Sequence, residues 1–454
     1  MELDALKKLY FIGIGGIGMS ALARYFNERG AEIYGYDKTE TTLTKKLVGE
    51  GMKIHFDEDV NQIPEGLDAV VYTPAIPKEH QELKFLKRSG LPVMKRSEML
   101  GVISRANKCI AIAGTHGKTT TSSMTAHLLR NAGMDISCFL GGIANNFKSN
   151  YCYGESEWTV IEADEFDRSF HRLNPEVAVL ISMDPDHLDI YGEKDKVQES
   201  FETFLHKVND GGKILMQRDL TEDFDKAFID SLKSRNIEIL TYGLLDADFE
   251  AKNLKYDSGQ QVFDFEGIEE LRLMMPGRHN TENMCAAIAI AAILGVSEEE
   301  IKAGVKTFSG IQRRFDITEG NGRIYIDDYA HHPSELKAAI GSARQLWPNK
   351  KLTVVFQPHL FSRTRDFMED FRRELSEVDE LFLMEIYPAR EQPISGVNST
   401  KLLENIDLEN KKIVHREQLM ELIKDSEVEV LMTLGAGDID VFAPQIRSWI
   451  KVND

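Results

Sequence analysis

Two glycine-rich turns, each set between an apolar run and a helical pattern, restrict this chain to a narrow set of folds. In LYFIGIGGIGMSALARYF, residues 9–26, a buried strand leads into Gly13, Gly15, Gly16 and Gly18 and then a helix, and IYGYD at 33–37 reads as the next strand. In KCIAIAGTHGKTTTSSMTAHLLRNAG, residues 108–133, the same order recurs, with Gly133 closing the helix. Strand, glycine turn, helix and strand open a parallel βαβ unit, so the predicted class is α/β. DAVVYTPAI (68–76) and LPVMK (91–95) extend the first sheet, and WTVIEAD (158–164) and VAVLISM (177–183) are apt central strands of the second. PGRHNTENMCAAIAIAAILG (276–295) is helical and alanine-rich. A third start at GRIYIDDYAHHPSE (322–335) is followed by apolar strands in KLTVVFQPH (351–359), ELFLMEIYP (380–388) and VEVLMTLGAGD (428–438). Three domains are expected, over 1–106, 107–312 and 313–454.

Composition narrows the function. A formal net charge of −20 repels a phosphate backbone, which excludes nucleic acid as a partner. Cys109, Cys138, Cys152 and Cys285 are scattered without a Cys-x-x-Cys pair, so neither a zinc site nor a disulfide framework is suggested, and a reducing cytoplasm fits. The apolar stretch 9–23 carries four glycines in a strand-and-turn pattern, and no run approaches a membrane span.

The strongest chemical signal is Gly114-Thr115-His116-Gly117-Lys118-Thr119-Thr120 between a strand and a helix. Backbone N–H groups in such a turn cradle phosphates, the lysine reaches the β and γ oxygens, and Thr119 can bind Mg²⁺. The loop departs from the usual pattern in having Ile112 where a glycine is expected. Gly13, Gly15, Gly16 and Gly18 satisfy G-x-G-x-x-G spacing, with Asp37 as a ribose acceptor. A nicotinamide cofactor, another nucleotide diphosphate and a structural turn all use that geometry. IEADEFD (161–167) places carboxylates at a strand end, among which Glu162 is the choice for Mg²⁺, and DPDHLD (184–189) places His187 beyond the next strand. Solvated acidic loops are the bland alternative for both. Asn280 and Asn283 stand at i, i+3 on one helical face, either aimed at a flat base or with Asn280 capping the helix. Arg313 and Arg314 offer a clamp for a transferring phosphoryl. Asp327, Asp328, His331, His332, His359, Arg363 and Arg365 cluster at strand ends of the third domain, a region suited to an anionic substrate.

With GIGGIGMSALA, AGTHGKTTT, IEADEFD, DPDHLD, PGRHNTEN, RRF, DDYAHHP, FQPHLFSRTRD and GAGD in this order, the chain resembles the Mur ligases over essentially its whole length. The phosphate loop and HN-x-x-N are shared with folylpolyglutamate ligases. GIGGIGMS, DDYAHHP and FQPH with RTRD are more selective, for the member that joins L-alanine to UDP-N-acetylmuramate. The resemblance implies an N-terminal Rossmann-like domain for the UDP-sugar, a central ATPase with a mainly parallel sheet, and a C-terminal Rossmann-like domain for the amino acid. It gives ATP to Gly114–Thr120, Asn280, Asn283, Arg314 and Asp328, and the metal positions to Thr119, Glu162 and His187. Gly13, Gly15, Gly16, Ile17, Gly18, Asp37 and Thr73 fall to the UDP-sugar, and His331, His359 and Arg363 to substrate positioning. The implied protein is a cytoplasmic monomer or weak homodimer using ATP and Mg²⁺. Ser182, Phe166 and Leu360 depart from the family pattern, which usually has asparagine, a small residue and arginine there.

A dehydrogenase would explain residues 13–37 but leave the phosphate loop idle. A non-catalytic nucleotide switch would leave the clustered histidines and arginines of the third domain without a role. The nearest enzymatic rival attaches a whole peptide to the same sugar.

Overall fold

The apolar run Leu9–Ile12 has no polar face, and the computed structural model, which describes residues 2–184, 194–257, 259–389 and 391–452, buries it completely. It forms β1 (Lys8–Ile12), joined by β2 (Glu32–Tyr36), β3 (Lys53–His55), β4 (Ala69–Tyr72) and β5 (Val93–Lys95). Their order, β3-β2-β1-β4-β5, is all parallel. Connections reverse direction at β1, so a crevice opens beyond the C-terminal ends of β1 and β4. The glycine turn and Thr73 stand at those two ends.

The second sheet contains β6 (Lys108–Ala113), β7 (Ser137–Ala144), β8 (Ser149–Cys152), β9 (Trp158–Ala163), β10 (Val177–Leu180), β11 (Lys213–Gln217), β12 (Glu238–Gly243), β13 (Phe249–Asp257), β14 (Gln260–Phe265) and β15 (Ile268–Leu273). Its order is β15-β14-β13-β12-β11-β10-β6-β9-β7-β8. The strands from β12 to β7 are parallel, while β13–β15 and the β7–β8 hairpin are antiparallel. Strands β13–β15 did not stand out in the sequence, because they mix apolar with charged residues and lack a long apolar run. The helix Lys118–Asn131 follows β6 and packs on the helix Arg278–Ile293.

The third sheet is built from β16 (Asp316–Gly320), β17 (Arg323–Asp328), β18 (Leu352–Phe356), β19 (Glu380–Leu383), β20 (Lys411–Ile413) and β21 (Val430–Leu434), in the order β16-β17-β21-β18-β19-β20. Only β16 runs antiparallel. After β17, His332 caps the helix Pro333–Leu346 with Glu335 completing the box and proline in the first turn.

By internal contacts the chain divides into two compact units, Met1–Leu273 with Arg278–Ser309, and Met274–Gly277 with Gly310–Asp454. The first two sheets share one unit, so the boundary expected at 106 falls inside it. One apolar cluster, including Phe11 on β1, Met99 and Ile103 on the linking helix, and Ala111 and Ile161 on β6 and β9, runs through both sheets. Among the described residues, no helix is long and apolar enough to cross a membrane.

A buried acid makes the second unit sensitive to pH. Asp327 is buried on β17, 3.3 Å from Arg447, whose guanidinium also binds Asp316 at 2.8 Å. Burial pushes the Asp327 carboxyl up to about 6, against the opposing pull of Arg313 and Arg447. An acid that holds its proton more tightly when folded adds stability below its unfolded pKa of about 3.9 and loses that contribution as pH rises through the folded value. Asp327→Asn is therefore expected to remove up to about 3 kcal/mol of the stability lost between pH 4 and 6. Asp328, raised to about 6 mainly by desolvation, retains a similar share. Unfolding followed across that range checks this; an unchanged pH slope in the variant would overturn it.

Candidate active site

β6 lies between β9 and β10, so the loop after it emerges beside Glu162, near the end of β9, and beside Ser182, just past β10. The turn takes a backbone only glycine adopts easily, with φ of 153° at Gly114 and 79° at Gly117. A Cβ on Gly117 would come within 2.7 Å of the Asn283 side chain. Ser182 holds the loop from the other side: its Oγ accepts from the His116 N–H at 2.8 Å, and its carbonyl from the Thr115 N–H at 3.3 Å. Two loop donors that the sequence reading gives to phosphate are thus engaged by the residue that departs from the family pattern. The Asp184 N–H donates to Thr115 Oγ1 at 3.1 Å.

The Lys118 ammonium donates to the Gly114 carbonyl at 2.7 Å and lies 2.7 Å from Glu165 Oε2. Burial draws this ammonium's pKa down, but Glu165 and Asp164 outweigh it and hold the group above the ordinary range, so it stays charged. Glu165 is 1% exposed, and the sequence reading gave it no role beyond membership of an acidic run. Glu162 accepts from Thr119 Oγ1 at 3.1 Å and from the Gly141 N–H at 2.7 Å. Gly141 is required there, because a Cβ would sit 2.2 Å from the carboxylate. Burial pushes the Glu162 carboxyl up, opposed by Lys118, so an added cation would be welcome. Among the described residues, no three His, Cys, Asp or Glu side chains converge as a metal cluster. His187 lies outside the described residues.

Asn280 and Asn283 are both buried on the helix that starts at Arg278. Asn280 is the third residue of that helix, so it is not the cap. Asn283 Oδ1 accepts from Thr121 Oγ1 at 3.2 Å and abuts Gly117, fastening this helix to the phosphate loop. An open groove of about 550 Å³, lined in part by Glu250, Lys252, Leu254 and Arg278, lies at the start of the same helix.

At the first turn, Gly13 (φ 82°) lies against Thr73, where a Cβ would meet its methyl at 2.5 Å. The Gly15 N–H donates to Asp37 Oδ2 at 2.8 Å, so the carboxylate assigned to a ribose braces the turn in this structure. Ile17 and Gly18 begin the helix Ile17–Glu28, and Gly18 faces Arg96, which lies 3.6 Å from Asp164. Arg96 is a cation shared by the two glycine sites, and nothing in the local sequence marked it.

In the second unit, strand ends gather the remaining candidates. Asp328 accepts from the Phe315 and Ala330 N–H groups, both at 2.7 Å. Arg313 and Phe315 have positive φ, 61° and 48°, so Arg314 sits in a strained segment, its guanidinium over the Tyr329 ring. His331 Nδ1 lies 2.9 Å from the Tyr329 carbonyl and 3.2 Å from Glu335. Desolvation lowers its pKa despite Glu335, which favours a neutral ring. His359 lies edge-to-face with His331 and stacks on Tyr387. Arg363 acts on His331 electrostatically, whereas Arg365 points to Asp366 at 2.7 Å. Of these two arginines, Arg363 is the one beside the histidines.

Family models match most of the chain in three parts: Mur ligase family, catalytic domain over residues 8–108; Mur ligase middle domain over 112–291; and Mur ligase, glutamate ligase domain over 313–444. A UDP-N-acetylmuramate–L-alanine ligase of Cytophaga hutchinsonii is 45% identical over 462 residues, covering 98% of this chain and 97% of that one. Its counterpart in Phocaeicola vulgatus is 44% identical over 459 residues, covering 98% of each chain. The chain belongs to the Mur ligase family. The crystal structure of UDP-N-acetylmuramate–alanine ligase from Thermotoga maritima aligns with this Mur ligase at a TM-score of 0.81 and 26% identity, covering 97% and 99% of the two chains. A murein peptide ligase from Psychrobacter arcticus shares the Mur ligase fold at a TM-score of 0.70 and 20% identity, covering 99% of each. The first glycine turn, the phosphate loop and the histidine cluster fall one in each matched part of this Mur ligase.

Proposed function

We propose that this Mur ligase joins L-alanine to the lactyl carboxylate of UDP-N-acetylmuramate, with ATP converted to ADP and phosphate, in the making of a peptidoglycan precursor. The observation that carries the reading is the phosphate loop with a charged Lys118 beside a Glu162–Thr119 pair, in a chain that matches alanine ligases from end to end. The murein peptide ligase of Psychrobacter arcticus is 20% identical, which carries the fold alone, against 44–45% for the alanine ligases.

A carboxylate resists an amine because oxide is a poor leaving group. Transfer of the γ-phosphoryl to the carboxylate gives an acyl phosphate and ADP; attack by the amine then gives the amide and releases phosphate. Bringing a carboxylate to a triphosphate costs about 4 kcal/mol per unit charge pair at 4 Å and an effective dielectric of 20. Lys118 supplies one counter-charge, and the family resemblance also gives Arg314 and Asp328 to ATP. Thr119 and Glu162 suit Mg²⁺, a hard cation that takes oxygen ligands and keeps some water, with His187 at the second metal position. When bound, the ion neutralises developing charge on the phosphates. Asn280 and Asn283 serve the adenine side, with Asn283 also fixing the loop. Gly13, Gly15, Gly16, Ile17, Gly18, Asp37 and Thr73 receive the UDP-sugar, and His331, His359 and Arg363 position the amino acid. The same reading carries with it a cytoplasmic location and a monomer or weak homodimer.

With ¹⁸O in the lactyl carboxylate of UDP-N-acetylmuramate, one labelled oxygen is expected in the released inorganic phosphate, with ADP as the nucleotide product. An adenylate route would place label in AMP and release pyrophosphate. AMP, or unlabelled phosphate, would sink the acyl-phosphate mechanism. Offering each amino acid or peptide in turn distinguishes alanine addition from peptide addition.

A further inference from the structure

Cys138 and Cys152, far from any recognisable pattern in the sequence, face each other in direct register across the β7–β8 hairpin, with their sulfurs 2.6 Å apart. Residues directly opposite in an antiparallel pair have Cα atoms about 4.5 or 5.5 Å apart, within the range of about 4.4–6.8 Å that a disulfide spans. Closure therefore requires no rearrangement of the backbone. β8 is the outermost strand of its sheet, and Cys152 on it is partly exposed, whereas Cys138 is fully buried. Burial pushes the Cys138 thiol well above its usual pKa, so the accessible Cys152 is the group that meets a reagent first. Arg130, bound to the Ile136 and Tyr153 carbonyls at 2.9 Å each, sets a guanidinium beside the pair.

The hairpin is joined at both ends to the functional sites. Three residues beyond Cys138 along β7, the Gly141 N–H donates to Glu162 at 2.7 Å. On β8, Asn150 beside Tyr151 and Cys152 receives a hydrogen bond from Arg24 at 2.7 Å and donates to Ser20 Oγ at 3.1 Å and to the Ile17 carbonyl. A crosslink between the strands thus bears on the carboxylate at the phosphate loop and on the helix behind the first glycine turn.

We propose that Cys138 and Cys152 form a reversible redox modification site, which closes with a small-molecule disulfide as oxidant and shifts the carboxylate of Glu162 through Gly141. The Cys152 thiolate attacks one sulfur of the reagent, giving a mixed disulfide and one thiol. The Cys138 thiolate then displaces the second thiol. Two protein thiols and one disulfide become one protein disulfide and two small thiols, so electrons and protons balance. In a reducing cytoplasm the pair rests as dithiol, and disulfide stress closes it.

The test uses the full chain with glutathione disulfide, followed by alkylation and peptide mapping. The expected species has the Cys138 and Cys152 peptides joined, with the fully buried Cys109 and Cys285 unlinked. Arrest at a glutathione adduct on Cys152, or no reaction at either sulfur, would overturn the site. In the same samples, the Mg²⁺ concentration for half-maximal turnover is expected to rise several-fold on oxidation and to return with dithiothreitol, while Cys152→Ser treated identically stays unchanged. The coupling to Glu162 rests on the metal role proposed above, whereas the peptide map does not. A closed disulfide with unchanged Mg²⁺ dependence would overturn the coupling alone.

Discussion

Lys118→Ala is expected to lower ligation by on the order of 10²–10³-fold or more, the scale of removing one preorganised charge-stabilising donor from a transfer reaction. Affinity for the UDP-sugar should stay nearly intact, because the first glycine turn and Thr73 sit on a different sheet. The substitution also removes the cation 2.7 Å from Glu165, a carboxylate 1% exposed. Breaking such a pair from one side costs about 3–5 kcal/mol. The double variant Lys118→Ala/Glu165→Gln separates the two effects: it should recover stability and leave turnover low. Calorimetry with UDP-N-acetylmuramate measures the remaining affinity. If that affinity falls as steeply as turnover, the division of labour between the two glycine loops is wrong.

Glu162→Gln keeps the shape of the side chain and removes its charge. Thr119 and Gly141 donate to different oxygens of Glu162; the amide oxygen can keep the Gly141 N–H, and the Thr119 hydroxyl can turn to accept from the new N–H, so the fold should tolerate the change. A metal held there loses an anionic ligand, and if about 3 kcal/mol of charge stabilisation goes with it, turnover drops by about 10²-fold. The Mg²⁺ requirement rises in parallel, and raising Mg²⁺ recovers part of the rate. Titration of Mg²⁺ against rate decides the matter: an unchanged midpoint would return Glu162 to the role of a structural acceptor beneath the loop.

What the sequence made legible was local. A glycine turn after an apolar strand specifies its own neighbourhood, because positive φ and close approach are properties of a few consecutive residues. The place of Glu162 beside the loop was also legible, since its strand ends in a carboxylate and a parallel sheet brings strand ends to one edge. The partners of these groups were not legible, because they come from distant segments. Glu165 was hidden among the carboxylates of IEADEFD until Lys118 folded onto it. Asp37 was read as facing a ribose, yet the short β1–β2 spacing brings it to the Gly15 N–H first. Arg96 opens an ordinary-looking helix and meets Asp164 only across the packed first unit. The cysteine pair shows the same limit: their separation in sequence means nothing until β7 and β8 are known to be a hairpin.

The side chain of Asn150 carries a consequence for any attempt to dissect this enzyme. It is fully buried and draws its partners, Ile17, Ser20 and Arg24, from the helix that belongs to the first sheet. A chain begun at residue 107 to isolate the ATPase would remove all three partners at once. It would also uncover the apolar surface of β7 and β8 on which this helix packs, with Phe139 and Tyr151 against Tyr25, and such a surface invites association with a second chain. The helix Ile17–Glu28 therefore acts as a solubilising cover for the second sheet, and a self-sufficient fragment of this ligase is expected to contain both glycine turns.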